Sequence, residues 1–517
     1  PPPPGRGLRV ALVDSSDFAG GTSSRSSRLV HGGLRYLETF DFGLVFEALR
    51  ERRRLLELAP HLVHAIPFLF PVYAGDPTGM ARLRAGMLLY EVLSLFRSPR
   101  RHRMLGRSGA LEAEPLLRRE KLRGGALYYD AQVDDARLTL AVARAAREAG
   151  ATTLSHAAAV ELVPGLGEAG HAVVEDRLSG RTARVDARVI LNATGPWTDR
   201  VRAMADPNVE SRLRPTKGVH VLVDRARVGN RNAIIFRSPV DDRVMFVLPW
   251  DEFTYIGTTD TEFSGDPSDA IATLADVEYL LTSANSIFPE AGLTTEDVFS
   301  TWAGVRPLLA PDGADGLSES ATSREHAIWR DDSGLVNVAG GKLTTYRSMA
   351  EETADAVAEL LREEFGVRSG PYFTEYLPLP GAPDEDTPRL HGRAKALGLE
   401  DQAAHDLVGR YGSAAQQILE LIEAEPALAE RIVETRPYLK AEVVHGVRHE
   451  MALTLQDVLR RRLQLFYDVA DGGLSAAVAV AELMAREEGI RWDPATVERE
   501  VEQYAAAVRQ TRPRLTN

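Results

Sequence analysis

The sequence predicts an α/β chain in which a parallel, nucleotide-type sheet is interleaved with an antiparallel sheet and followed by an all-helical region. Three observations predict it. Apolar runs that end in an acid or in small residues, GLRVALVD at 7–14, RVILNATG at 188–195 and LVNVAGG at 335–341, alternate with helical patterns, as in doubly wound sheets that take ligands at their carboxyl edge. Between 215 and 260 the runs KGVHVLVD, NAIIFRS, RVMFVLPW and FTYIGTTD follow one another with no helix between them, which reads as an antiparallel sheet. From Leu390 to Arg509 strand signals vanish and helical periodicity takes over.

Composition sets the limits. The 517 residues are 44% hydrophobic and 26% charged, an ordinary globular balance long enough for roughly three domain-sized units. A net charge of −13 argues against a general nucleic-acid binder, so any anion site must be local. With no cysteine, disulfides, thiolate metal sites and Cys nucleophiles are excluded, and redox chemistry falls to a cofactor. The start, PPPPGRGLRV, has neither an initiating Met nor a charged segment followed by an apolar run, so the sequence reads as a fragment without a secretory signal.

In order along the chain, GLRVALVD predicts a short buried strand closed by Asp14. In a dinucleotide fold this is the second strand, and its acid would take ribose hydroxyls. The Gly-rich pyrophosphate turn should lie about 20 residues upstream, so the first strand and its G-x-G-x-x-G are expected to be missing here. Next comes GGTSSRSSRLVHGGLRYLE, Gly20 to Glu38, with five Ser or Thr hydroxyls, three Arg, one His and four Gly. Hydroxyl and guanidinium donors on a glycine-bent backbone suit an anion gripped from several sides. Asp41 should cap a helix from Phe42 to Leu58 with Phe42, Val45, Leu49 and Leu56 on one face. The stretch from Met80 to Phe96 is too short and too interrupted to span a bilayer. Beside Arg97, Arg100, Arg101 and Arg103 it reads equally as a core helix or as an interfacial anchor.

Asp134 and Asp135 open a helix from Leu138 to Ala149, and β runs follow to Gly195. The turn Gly195-Pro196-Trp197 closes the last of them. Thr301–Leu308 and Leu335–Arg347 are expected to return to the first region. In the second, Gly340-Gly341 meets a helix starting near Leu343, whose bare N-terminus is an anion or carbonyl-oxygen site. Leu343 after Lys342 excludes a P-loop. Residues 1–376 thus read as interleaved cofactor and substrate domains, with the substrate sheet at about 210–300, then a Pro/Gly/acid-rich linker at 377–388 and a helical domain at 389–517. Helices are expected at Ala414–Ala424, Ala452–Tyr467 and Leu474–Glu488. His445, His449 and Glu450 have ligand-like helical spacing but no third ligand nearby, so a polar helix face is preferred to zinc, and no metal site is expected.

The run TSSRSSRLVHGGLRYLE closely resembles the TSSxSSKLIHGGLRYLE pattern of FAD-dependent glycerol-3-phosphate dehydrogenases, aerobic quinone-linked members of the amino-acid-oxidase-like FAD superfamily, with Arg28 where Lys is usual. The resemblance extends from Arg6 into the helical tail and is specific in four separated motifs. It implies a Rossmann-like FAD-binding domain, oxidation of sn-glycerol 3-phosphate to dihydroxyacetone phosphate, and electrons passed to a quinone. A peroxide-forming glycerol-3-phosphate oxidase and, from another class, a flavin-free binding protein are the alternatives. By resemblance, His220 in KGVHVLV accepts the hydroxyl proton, a role suited to imidazole. Arg35, Tyr36, Arg306 and Arg324 would hold the phosphate-bearing substrate, and Lys342 would lie by the flavin. Asp14, Thr22, Ser23, Ser24, Ser26, Leu29, His31, Gly195, Pro196, Trp197, Gly340, Gly341, Lys342, Leu343 and Thr344 would hold FAD. The implied setting is cytoplasmic, peripheral on the inner membrane face, with no nucleic acid; a homodimer stays open.

Overall fold

A computed structural model describes residues 6–310 and 326–512; Arg324 and the leading prolines lie outside the described residues. The strands that position the site are β1 (Ala11–Val13), β2 (Leu29–Val30), β3 (Val63–Tyr73), β4 (Leu122–Val133), β5 (Thr152–Leu154), β6 (Leu191–Asn192), β7 (Thr216–Asp224), β8 (Ala233–Arg237), β9 (Val244–Trp250), β10 (Phe253–Gly257), β11 (Val298–Arg306), β12 (His326–Arg330) and β13 (Val336–Gly340). The helices are α1 (Phe42–Leu58), α2 (Met80–Leu93), α3 (Asp135–Glu148), α4 (Tyr346–Phe365) and α5 (Pro494–Thr511).

Parallel pairing occurs in two small sheets: β1 runs beside β5, and β6 beside β13, with β12 antiparallel to β13. The buried strand expected at 7–14 is corrected on two counts. It is shorter, and Val10 and Leu12 are 53% and 40% exposed, because β1 is paired on one edge only among the described residues. A Gly165-x-Gly167-x-x-Gly170 pattern does occur, in the loop joining strands Ala157–Val163 and Gly170–Asp176. A Cβ on Gly165 would stand 1.9 Å from the Glu168 carbonyl oxygen, so glycine serves a tight hairpin here. It precedes a strand rather than a helix N-terminus and is no pyrophosphate turn.

The large sheet has ten strands. Its order runs Thr261–Glu262, β7, β10, β9, β8, β3, β4, β2, with β11 also against β7 and Arg103–Gly106 against β4. All pairs are antiparallel except β8 with β3. Thr301–Arg306 therefore does not return to the first region as expected: it lies in β11, registered residue by residue on β7, Thr216 opposite Arg306 and His220 opposite Trp302. β7 is buried from Thr216 to Val223, covered on both faces, which is why it lacks the in-out alternation of a one-sided strand.

Helix α1 matches its expected bounds, and the Asp41 carboxylate accepts from Leu44 N at 3.1 Å. Its face differs: Val45 and Leu49 are buried, whereas Phe42 turns to solvent. In the C-terminal region the single helix expected at Ala452–Tyr467 is broken into a wide turn, Asp457–Arg462, and a short helix, Leu465–Asp468. The Asp457 carboxylate caps the turn by accepting from Leu453 and Thr454 N–H groups. Its last residues swing inward, so that Arg461 and Arg462 both reach Asp17. His445 bonds Gln417 and Glu450 bonds Arg137, so the polar helix face packs against neighbours.

Candidate active site

The loop from Gly20 to Gly33 is held by the edge of the large sheet. Thr22 Oγ1 donates to the Val305 carbonyl (2.6 Å), Trp302 Nε1 to the Ser26 carbonyl (3.1 Å) and Tyr255 Oη to the Ser27 carbonyl (3.0 Å). Ser26 donates through N–H and hydroxyl to Asp135 at the start of α3. Burial pushes the Asp135 carboxyl up to about 6, against the opposing pull of Arg28. Gly21 faces Trp197, where a Cβ would stand 2.9 Å from the indole, so glycine there lets the 195–197 turn close on the loop.

Next to Ser26, Ser27 Oγ lies 2.8 Å from His220 Nε2. The His220 ring stacks on Trp302, centroids 5.0 Å apart at 14°, and sits over Gly257, where a Cβ would be 2.0 Å from its Cδ2. His220 is 2% exposed, so β7 carries it inside the sheet and not on a solvent face. Burial, then the charges of Arg306 and Arg28, lower its pKa to about 3. The imidazole is therefore neutral near pH 7 and does not titrate at working pH in the free protein, which corrects the reason for choosing it. Arg306, on the adjacent strand, donates to Asp260 Oδ1 (2.9 Å), Thr258 Oγ1 (3.1 Å) and the Thr259 carbonyl (3.1 Å). Asp260 also pairs with Arg243. Gly218 makes room for this guanidinium; a Cβ there would be 2.4 Å from Arg306 Nη2.

On the other side, β13 ends in Gly340 and Gly341, at φ 83° and 77°, a left-handed bend that favours glycine, before the turn Leu343–Thr345 and α4. Lys342 Nζ lies 3.6 Å from the Tyr36 ring centroid. Buried Thr344 accepts from His31 N (3.2 Å), and His31 Nδ1 accepts from Gly33 N (3.1 Å), which leaves the ring proton on Nε2. The His31 ring lies 6.4 Å from Phe246, which pairs with Gly257 on the sheet beside His220. Tyr36, Lys342, His31 and Thr344 thus form one group of contacts and Ser27, His220 and Arg306 another, linked through Phe246 and Gly257.

Residues 5–356 match the family described as FAD dependent oxidoreductase, and residues 372–497 the C-terminal domain of alpha-glycerophosphate oxidase. Glycerol-3-phosphate dehydrogenase 2 of Mycobacterium tuberculosis is 40% identical over 97% of this chain and 84% of its own length. Aerobic glycerol-3-phosphate dehydrogenase of Staphylococcus aureus is 34% identical over 98% and 91%. The crystal structure of the glycerol-3-phosphate dehydrogenase from Bacillus halodurans complexed with FAD superposes with a TM-score of 0.80 at 31% identity, over 99% of this chain and 92% of that one. The chain belongs to the FAD-dependent glycerol-3-phosphate dehydrogenases. It is an α/β flavoenzyme with a helical C-terminal domain.

The residues present fit the dehydrogenase's flavin. Gly340 and Gly341 bend without side chains just ahead of a helix start, Gly21 lets Trp197 pack onto the loop, and the loop presents exposed Ser23 beside buried Ser24. Asp14 follows β1 with its carboxylate accepting from Ser16 N (3.0 Å), and burial raises its pKa. Leu29 is buried in β2, Gly195 and Pro196 form the turn before Trp197, and Leu343 opens the turn after Lys342. Arg35 shares a helical turn with Tyr36 and is half-buried.

Sequence reasoning missed several contributors. Ser27 was one hydroxyl among five, with nothing to mark it as the one on His220. Thr258 and Asp260 read only as part of the run FTYIGTTD, and Trp302 only as part of the stretch Thr301–Leu308. Arg28, counted among the anion donors, is instead buried at 4.1 Å from the Trp250 ring centroid, near Trp302 and Tyr467, and donates to Gln464. No local signal could have paired it with a residue more than 400 positions away.

Proposed function

We propose that this chain oxidises sn-glycerol 3-phosphate to dihydroxyacetone phosphate through the side chains around His220, and that its electrons go to a membrane quinone. FAD, when bound, supplies the hydride acceptor. The observation that carries the assignment of roles is a neutral, buried imidazole one strand from a guanidinium. The His220 and Ser27 pair holds the place for the hydroxyl proton, and Arg306, always charged, suits the phosphate. The two roles are linked. A base with a pKa near 3 is weak, but its weakness comes partly from the Arg306 charge, and a phosphate dianion beside Arg306 would offset that charge. Substrate therefore raises the basicity of the group that deprotonates it. Tyr36, Arg35 and Lys342 would orient the rest of the molecule from the opposite side.

A membrane acceptor is favoured by one surface. Phe40 (75% exposed) and Phe96 (63% exposed) stand with Phe42, Phe46, Leu88, Val92 and Leu95 on the outer side of α1 and α2, which pack together, and exposed Arg97, Arg100, Arg101 and Arg103 follow. Among the described residues no helix is long and apolar enough to cross a membrane. An apolar patch rimmed by arginines in an acidic protein suits a peripheral seat on an anionic bilayer. The decisive experiment is anaerobic mixing of the flavin-loaded protein with sn-glycerol 3-phosphate. The visible flavin absorbance should bleach with that enantiomer and return on adding a soluble quinone. Absence of bleaching would defeat the assignment, and stoichiometric peroxide in air would replace the quinone.

A further inference from the structure

A second cluster of arginines lies outside the His220 region and, among the described residues, pairs with no acid. Arg25 leaves the flavin loop along β11, packing over Gly304, and donates Nη1 to the Ala303 carbonyl (3.4 Å) and Nη2 to the Gly20 carbonyl (3.3 Å). Its Nε is buried with no hydrogen-bond partner among the described residues. Arg460, from the Asp457–Arg462 turn, donates Nε to Tyr467 Oη (3.0 Å) and lies over Phe466. Both line one open-mouthed cavity with about 360 Å³ of empty space, together with Ser268, Thr301, Trp302 and Gln510. Neither makes an ion pair with a carboxylate among the described residues. Burial foremost, then the neighbouring Arg460, pushes Arg25 down to about 10.

Folding two guanidiniums towards one cavity without a carboxylate is costly unless something else supplies negative charge. The rest of the lining is mixed, Ala270, Ile271, Ala272, Ala303 and Ala507 beside Ser268 and Gln510, so the two guanidiniums are the only charges the cavity's described residues present, and they suit an oxyanion. We propose that this cavity is a second anion site, distinct from the substrate's, that takes a small oxyanion of the phosphate class between Arg25 and Arg460. Arg25 belongs to the flavin loop and Arg460 to the C-terminal domain, so the anion would tie the two together. Trp302, which lines the cavity and stacks on His220, would carry its presence to the active site.

The test is equilibrium dialysis of the FAD-loaded protein against labelled inorganic phosphate at fixed ionic strength, with thermal unfolding on the same samples. Wild type should bind two phosphates per chain, and Arg460→Gln and Arg306→Gln one each, from different sites. Phosphate should raise the unfolding midpoint of wild type by more than that of either variant, because each variant keeps one site of the two. Without phosphate, Arg460→Gln should unfold no earlier than wild type, because a repulsion has been removed; Arg25→Gln serves as the second variant if it does. A phosphate stoichiometry unchanged from wild type in both Arg460→Gln and Arg25→Gln overturns the site. Loss of phosphate from Arg306→Gln bears on the proposed substrate site instead, so the two readings fail separately.

Discussion

At the seam between the C-terminal helices and the rest of the chain, buried arginines are matched by carboxylates; around His220 the cations rest largely on rings and hydroxyls. In the seam Arg461 and Arg462 converge on Asp17, the latter with a 2.9 Å bond from Nη2 to Oδ1, while Arg137 and Arg144 hold Glu450, and Asp457 takes His156. Around His220, Lys342 lies over Tyr36, Arg306 pairs with Asp260 and donates to the Thr258 hydroxyl, and buried Arg28 lies against Trp250. Matched pairs leave little potential beyond themselves and hold two domains in register. Cations leaning on aromatic faces stay cations, and the field they project favours a dianion. On the function proposed above, the difference separates charge spent on assembly from charge kept for a ligand.

Breaking the seam should have the largest effect. Asp17→Ala leaves Arg462 without its carboxylate and Arg461 with Asp457 alone, and removing one partner of a buried pair costs about 3–5 kcal/mol. Urea unfolding should show that loss; a change under about 1 kcal/mol would mean the seam is not what joins the domains. Charges kept in water test the opposite limit. Replacing Arg100, Arg101 and Arg103 together by Gln should weaken binding to anionic vesicles by about 3 kcal/mol at low salt, at about 1 kcal/mol for each basic residue near the surface. Dye-linked turnover should be unchanged, and equal vesicle binding would end the peripheral reading. Arg306→Ala comes third. It should lower kcat/KM for glycerol 3-phosphate by about 1.5–3 kcal/mol, roughly 10- to 150-fold, through a lost charge-assisted partner. Stability should barely move, because Asp260 keeps Arg243. A variant as active as wild type would take Arg306 out of the site, and one that unfolds would make it part of the framework, like the seam.

How much of this was legible follows the same division. The loop from Gly20 to Glu38 declared itself because polar donors, glycines and arginines violate both helical and strand periodicity, and such a violation has few structural uses. α1 was readable from its cap and stripe. The large sheet was only half legible: β3 carries two prolines and β4 two glycines, so neither looked like a strand, and only long-range pairing with each other and with β8 makes them strands. β11 was assigned to the wrong region because VFSTWAGVR is a short apolar run whose partner no local pattern specifies. His220 looked ordinary for the same reason, its burial being the work of Trp302 and Gly257 from neighbouring strands. The seam could not be read at all, since Asp17 meets Arg462 across 445 positions.

The smallest effect expected concerns His61, which faces the seam from the other side. Its ring is packed by Gly381 and Gly412, and it shares a small polar cavity with Arg137, Arg144, Tyr411 and Glu450. Burial, then Arg137, lower its pKa to about 4. Unfolded, it would titrate near 6.5, so between those values the unfolded chain binds the extra proton. Stability is fully present above about pH 6.5 and is lost as pH falls towards 4. One proton over that window is worth about 1.4 kcal/mol per pH unit, so His61→Gln should flatten the fall between pH 6.5 and 5 by about that slope. His220 and His445, both lowered to about 3, keep their own slopes in the variant, so the difference between the two proteins isolates His61. If wild type and His61→Gln lose stability in parallel, Glu450 must already cancel the two arginines as seen from the ring. The seam would then be neutral on both of its faces, whereas a flattened slope would show that its outer face still carries part of the charge the cleft was thought to hold alone.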